Sequence, residues 1–239
     1  MASPAREWKV LPHGRLTYVD ENILTVTGTI SMPVGALPRR MTVVRLRDRR
    51  LVIFSAMALE ETEMWEIEGF GHPAFLVVPN DHHRLDAPAW KHRYRHLKVI
   101  APEGSRAKVE KVVHVDATTA DFHDPDVRLF CIPGTDEREL AMEVRGPRGV
   151  TLVLNDLIGN IRDASGVSGL FLRLMRFAGD EPRIPVPVKR AVVDNKALVR
   201  EQLEKWAALP SLRSILVSHG SAIDEDPRGT LLRLAESLS

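Results

Sequence analysis

Three short apolar runs constrain the fold of this chain more than any other feature. They are "AFLVV" at 74–78, "VTLVL" at 150–154 and "SILV" at 214–217. Each has strand length and is rich in Val, Leu and Ile. Such runs suit strands buried on both faces. Helix signals lie between and around them. Asp86 before Ala87-Pro88 predicts an N-cap opening the helix "PAWKHRYRHL", so 75–101 reads as strand, loop, helix, strand. "LEETEMWEIEGFG" predicts a helix with Leu59, Met64 and Ile67 on one side, ending at Gly69 or Gly71. "DNKALVREQLEKWAALP" predicts an amphipathic helix with Val199, Leu203, Trp206 and Ala207 on one stripe and Pro210 as terminator. "DPRGTLLRLAESL" predicts a last helix with Asp226 and Pro227 at its start. The first sixty residues predict short strands, among them a hairpin turning at Asp48-Arg49-Arg50. A second hairpin is expected around Gly146–Gly149, its second strand ending at Asn155-Asp156. No repeat, linker or composition break appears, so the expectation is one α/β domain over residues 1–239.

Composition removes several function classes. The chain is 44% hydrophobic, enough for a real core, and its net charge of +1 gives no overall field for nucleic acid or an anionic membrane. The single cysteine, Cys131, allows no internal disulfide and fits a reducing compartment. The first ten residues have no signal-peptide core, and no apolar run approaches the roughly 18 residues of a membrane helix. These points predict a cytoplasmic protein with no nucleic-acid or membrane partner. No P-loop, G-x-G-x-x-G or G-x-S-x-G elbow is present, so nucleotide and serine-hydrolase chemistry lack support.

The three runs end alike. "FLVVPNDHH", "VTLVLND" and "SILVSHG" each stop in side chains that can bind a metal. In α/β folds, ligands bind at the carboxyl ends of strands. Imidazole nitrogen and carboxylate oxygen arriving there from separate loops suit zinc, iron or manganese.

The order of these segments resembles the metallo-β-lactamase fold superfamily, over roughly 40–225. The family's first metal motif, His-x-His-x-Asp-His, corresponds to Asn80 through Leu85. Asn80 stands at the first His, His82 at the second, Arg84 at the Asp and Leu85 at the last His. Ile132-Pro133-Gly134-Thr135 resembles a later Thr-Pro-Gly-His motif, with Thr135 in the His position. Asp156 in Asn155-Asp156-Leu157 matches the bridging Asp, and His219 before Gly220 matches the last His. The chain is also similar to an uncharacterised branch of the superfamily with a His-His pair in its first motif. The resemblance implies a four-layer αββα sandwich and a metal-dependent hydrolase with a reduced, single-ion site acting on a small-molecule substrate. Its metal ligands would come from His82, His83, Asp156 and His219. Asp156 and His219 are the candidate catalytic residues, while Asn80 and Thr135 would shape the surroundings or bind a water. The ion would be zinc, or iron or manganese.

A rival expectation is a non-catalytic member of the fold. It would hold a small anionic ligand or a protein partner in the former metal cavity, with no ion, and Arg84 in that cavity would favour the anion. Plainer readings also stand. Asn80 and Asp81 suit a turn, Asp156 could accept backbone N–H groups, and His219 could be a core histidine. His92 and His96 in "KHRYRHLK" read as a solvated helix face. Cys131 reads as a small core residue, with a thiol ligand as the minor alternative. Glu137 and Glu139 read as solvated loop charges, although either could replace the missing His. "LFLRLMRFAG" at 170–179 reads first as core and second as a partner face, which leaves a homodimer or a lid open.

Overall fold

A computed structural model of the chain describes residues 7–32, 35–162, 173 and 178–238. The apolar segment at 170–179 lies almost wholly outside these residues. Two sheets organise the rest. The first holds β1 (Thr17–Asp20), β2 (Ile23–Met32), β3 (Gly35–Arg45), β4 (Arg50–Phe54), β5 (His72–Val77) and β6 (Lys98–Ile100), side by side in chain order. Its pairings are antiparallel from β1 to β4 and parallel from β4 to β6. The second holds β7 (Val127–Cys131), β8 (Leu140–Gly146), β9 (Gly149–Asn160) and β10 (Leu212–Gly220) in the order β10-β9-β8-β7. Only β10 and β9 run parallel there.

The sheets pack face to face. Val44, Val52, Phe54 and Val77 of the first meet Leu129, Met142, Val144 and Val153 of the second. The outer face of the first sheet is covered by α1 (Glu61–Phe70), α2 (Ala87–Arg93) and α3 (Glu103–Val109). Trp90, Met64 and Val109 bury there against Leu51, Ile53, Leu76 and Val99. The outer face of the second sheet is covered by α4 (Val186–Ala191), α5 (Lys196–Ala207) and α6 (Pro227–Glu236). The stripe expected on α5 is the buried one, with Val199, Leu203, Trp206 and Ala207 all inside. Asn195 caps that helix by accepting from the N–H groups of Ala197 and Leu198. The layers are therefore helix, sheet, sheet, helix, as the resemblance implied.

Two local expectations are corrected. Asp86 precedes α2 but makes no side-chain cap, because its carboxylate instead accepts from Nη1 of Arg39 on β3. The second correction concerns β9, which does not end at Asn155-Asp156 but runs on to Asn160. Val217 of β10 pairs with Leu154, yet His219 pairs with Gly159. Four residues of β9, 155–158, therefore sit opposite one residue of β10, which is a large bulge. Asp156 stands in that bulge rather than at a strand end. Bulges re-aim side chains, and this one sends a carboxylate toward the neighbouring sheet.

Candidate metal centre

The site forms where the two sheets meet along one edge, with β10 passing beside β3. Asp156 comes from the β9 bulge and His219 from the end of β10. His83 comes from the loop after β5. The three converge closely: His83 Nε2 lies 3.0 Å from Asp156 Oδ1, His219 Nε2 lies 2.9 Å from the same oxygen, and the two Nε2 atoms are 3.2 Å apart. All three side chains are nearly closed to solvent.

Each ligand atom is aimed by an outer contact. His219 Nδ1 donates to the Pro38 carbonyl at 2.6 Å, which fixes a proton there and turns Nε2 toward Asp156. His83 Nδ1 lies 2.7 Å from Ser55 Oγ. Ser55 sits just past β4 with φ of 57°, a left-handed conformation that side-chain-bearing residues seldom adopt outside functional or turn positions. Asn80 organises the rest. Its Oδ1 accepts from the backbone N–H groups of His82 and His83 at 2.9 and 3.1 Å, and its Nδ2 donates to Asp156 Oδ2 at 2.6 Å. The same Nδ2 lies 3.3 Å from Glu139 Oε2, while Glu139 Oε1 accepts from the Leu157 N–H at 2.9 Å.

The electrostatics follow from burial and proximity. Burial pushes the Glu139 carboxyl up, and the Asp156 charge adds to the shift, to about 8. Glu139 therefore holds a proton at neutral pH. Burial also works to raise Asp156, but the His83 and His219 imidazoles overcome it and hold that carboxylate well below the ordinary range. Burial lowers His83. At His219 burial acts in the same direction, yet the bonds to Asp156 and the Pro38 carbonyl outweigh it and lift the imidazole. Two imidazole nitrogens and a carboxylate oxygen face one point, an arrangement that a shared proton or a cation favours.

No protein-family model matches the chain, and no curated protein matches it in sequence. Solved structures do match. The metallo-β-lactamase FIM-1 from Pseudomonas aeruginosa in its mono-zinc form superposes with a TM-score of 0.63, covering 96% of this chain and 97% of that one at 14% identity. The metallo-β-lactamase from Erythrobacter litoralis, with β-mercaptoethanol in its active site, gives 0.61, with 96% and 100% covered at 16% identity. The metallo-β-lactamase from Pontibacter korlensis gives 0.63, with 93% and 98% covered at 11% identity.

The chain has the metallo-β-lactamase fold. Its αββα order places the His83, Asp156 and His219 cluster at one edge of the sheet sandwich. Of the residues that sequence pattern nominated, Asn80, His83, Asp156 and His219 come together. His82 does not join them. Its side chain is 74% exposed at the cavity rim, where Nδ1 lies 2.9 Å from Asp81 Oδ1. Thr135 is fully buried and donates to the Ile132 carbonyl at 2.7 Å, so it closes the Pro133-Gly134 turn instead of facing the cavity. Arg84 is not in the cavity either, since its Nη1 donates to the Lys108 carbonyl beside α3. Cys131 is no ligand, as its thiol, pushed up by burial, donates to the Glu139 carbonyl. Glu139 corrects the expectation of a solvated loop charge: it is fully buried beneath the site, whereas Glu137 is exposed. Ser55 and the Pro38 carbonyl had no sequence signal, because a lone Ser and a backbone oxygen carry no pattern.

Among the described residues, no helix is long and apolar enough to cross a membrane.

Proposed function

We propose that the protein is a metal-dependent, hydrolase-like enzyme working with one ion, most simply zinc, held by His83, Asp156 and His219. One observation carries the reading: three buried ligand atoms of the right chemistry face one point at separations of 2.9–3.2 Å. A tetrahedral zinc ion with bonds of about 2.0–2.1 Å spaces its ligand atoms about 3.3 Å apart, so the donors already fit such an ion. Two outer contacts, Pro38 carbonyl to His219 and Ser55 hydroxyl to His83, are of the type that orients ligating imidazoles. Iron or manganese would accept the same donors. FIM-1, which shares the fold, is described in a mono-zinc form.

The choice of one ion is supported by Asn80. Its Nδ2 donates to Asp156 Oδ2 at 2.6 Å, so Oδ1 is the oxygen left facing the imidazoles. A carboxylate held in that way is less free to span two ions with its two oxygens. When bound, the ion would supply a water of lowered pKa and polarise a substrate carbonyl or phosphoryl oxygen. The chain's own residues do the positioning. Asn80 turns Asp156 toward the imidazoles and pins the His82-His83 backbone, while protonated Glu139 keeps a second negative charge away from Asp156. The cavity above them presents mostly apolar surface.

Metal analysis of protein purified without added metal tests this. About one equivalent of a transition metal, lost in Asp156→Asn, is expected. Background metal in the wild type, unchanged by that substitution, overturns the reading. A second reading, a non-catalytic ligand-binding member of the fold, is favoured by Asn80, Arg84 and Leu85 standing where metal ligands are expected. Stoichiometric metal with turnover of an ester, thioester or phosphodiester excludes it.

A further inference from the structure

The cavity over the metal centre has a volume of 310 Å³ and is walled mainly by Ile30, Leu37, Ala56 and Leu85. That is the small end of ligand-pocket sizes. One charged side chain outside the cluster joins this apolar wall. Arg39 follows Leu37 by two positions on β3, so both point to one face of the strand. Its side chain is 9% exposed, and its Nη1 is paired with Asp86. Its Nε and Nη2 are closed to water and have no hydrogen-bond partner.

Those two atoms are the informative ones. In a guanidinium the Nε–H and one Nη–H share an edge and point in parallel, matching the two oxygens of a carboxylate. Asp86 takes Nη1 and leaves that edge unused. Two buried donors left unpaired carry a desolvation cost, and a structural ion pair alone gives no reason for it.

We infer that Arg39 is a specificity-determining residue of this cavity and selects a small aliphatic monocarboxylate. The inference rests on the reading of the cavity as the working site. The aliphatic part of the ligand is set by Ile30, Leu37, Ala56 and Leu85. The single charge follows from the charges present. Arg39 and Asp86 cancel, and a divalent ion with Asp156 leaves one positive charge. A monoanion neutralises that charge and a dianion overshoots it. The carboxylate parts the wall to reach the Arg39 edge, and Leu85, half exposed, is the wall residue freest to move.

Calorimetric titration of the zinc-loaded and the chelator-treated protein tests the inference. The probes are hexanoate, 1-hexanol and inorganic phosphate, and the variants are Arg39→Lys and Asp86→Asn. Lysine keeps the charge beside Asp86 but lacks the parallel N–H edge. Hexanoate is expected to bind, with hexanol and phosphate weaker by about tenfold or more, the ratio expected of a charge-assisted pair. Arg39→Lys should erase the preference for hexanoate over hexanol, which a merely structural role would leave intact. Asp86→Asn should tighten hexanoate by removing the competing charge. Absent hexanoate binding, equal or tighter phosphate binding, or a hexanoate preference unmoved by Arg39→Lys overturns the inference. If Arg39→Lys does not fold, Asp86→Asn decides, and unchanged or weaker hexanoate binding overturns it. Zinc content is read separately on the same samples. Arg39-dependent hexanoate binding without zinc binding fails the metal reading and the charge balance drawn from it but keeps Arg39 as the carboxylate's partner, whereas zinc binding without Arg39-dependent hexanoate binding fails this inference alone.

Discussion

Replacing Asn80 by Asp tests the logic of the centre without changing its shape. The new carboxyl keeps the oxygen that accepts the His82 and His83 N–H groups, so the loop retains its anchor. The other atom turns from a donor into an acceptor, 2.6 Å from Asp156 Oδ2 and 3.3 Å from Glu139 Oε2. Two unit charges 2.6 Å apart repel by about 6 kcal/mol at an effective dielectric of about 20. Taking up a proton is the cheaper escape. For a carboxyl of ordinary pKa near 3.9, it costs about 4 kcal/mol at pH 7. The folded variant therefore binds a proton that its unfolded chain releases, so the new carboxyl has a folded pKa above its unfolded value. Its stability contribution is fully present below about pH 4 and is lost as the pH rises. Relative to wild type, the penalty should grow by about 1.4 kcal/mol per pH unit, to about 2.9 kcal/mol at pH 6 and about 4.2 kcal/mol at pH 7. Urea unfolding of chelator-treated protein at pH 5, 6 and 7, followed by fluorescence of buried Trp90 and Trp206, measures it. A difference that stays flat with pH, or shrinks as pH rises, refutes the placement of the Asn80 amide between the carboxylates.

Three further outcomes are expected. His83→Ala should weaken zinc binding in a chelator competition by more than the roughly hundredfold that loss of an outer contact costs, while His82→Ala, removing an exposed rim group, should leave it unchanged. Gly220→Ala should destabilise the fold by at least about 2 kcal/mol and loosen metal binding. Gly220 has φ of 111° and an added Cβ would meet the Asn160 carbonyl oxygen at 1.9 Å, directly after His219. Trp90→Ala should cost about 3–5 kcal/mol in urea unfolding, because the ring is fully buried against Trp8 and Tyr94 and its Nε1 donates to the Met57 carbonyl.

The buried strands and helix faces were legible because hydrophobic pattern reports burial directly. "AFLVV", "VTLVL" and "SILV" lie in or abut β5, β9 and β10, and the apolar stripe of α5 is the buried one. The place of His219 was legible for a related reason, since a side chain that ends a buried strand is placed by the strand. Glu139 was hidden. It stands among charged neighbours, and its burial depends on Asn80 and the Leu157 N–H, distant in sequence. The choice between His82 and His83 was hidden too. Adjacent residues share every local signal, and the Asn80 turn decides which imidazole faces inward.

Asp156 reaches the cluster by a different route from the one its sequence context suggested. Polar Asn155-Asp156 after an apolar run looked like a strand terminus, and the carboxylate was expected to project from it. The chain instead bulges and then resumes pairing, with His219 opposite Gly159. That difference has a chemical consequence. A carboxylate on a free terminus can rotate and offer both oxygens. One held in a bulge between two paired segments has its direction set by the sheet, and Asn80 then takes Oδ2. The residue that replaces an expected ligand at position 80 thus also limits what Asp156 can do. The departure from the family motif at position 80 and the restraint on the Asp156 carboxylate are therefore one structural feature.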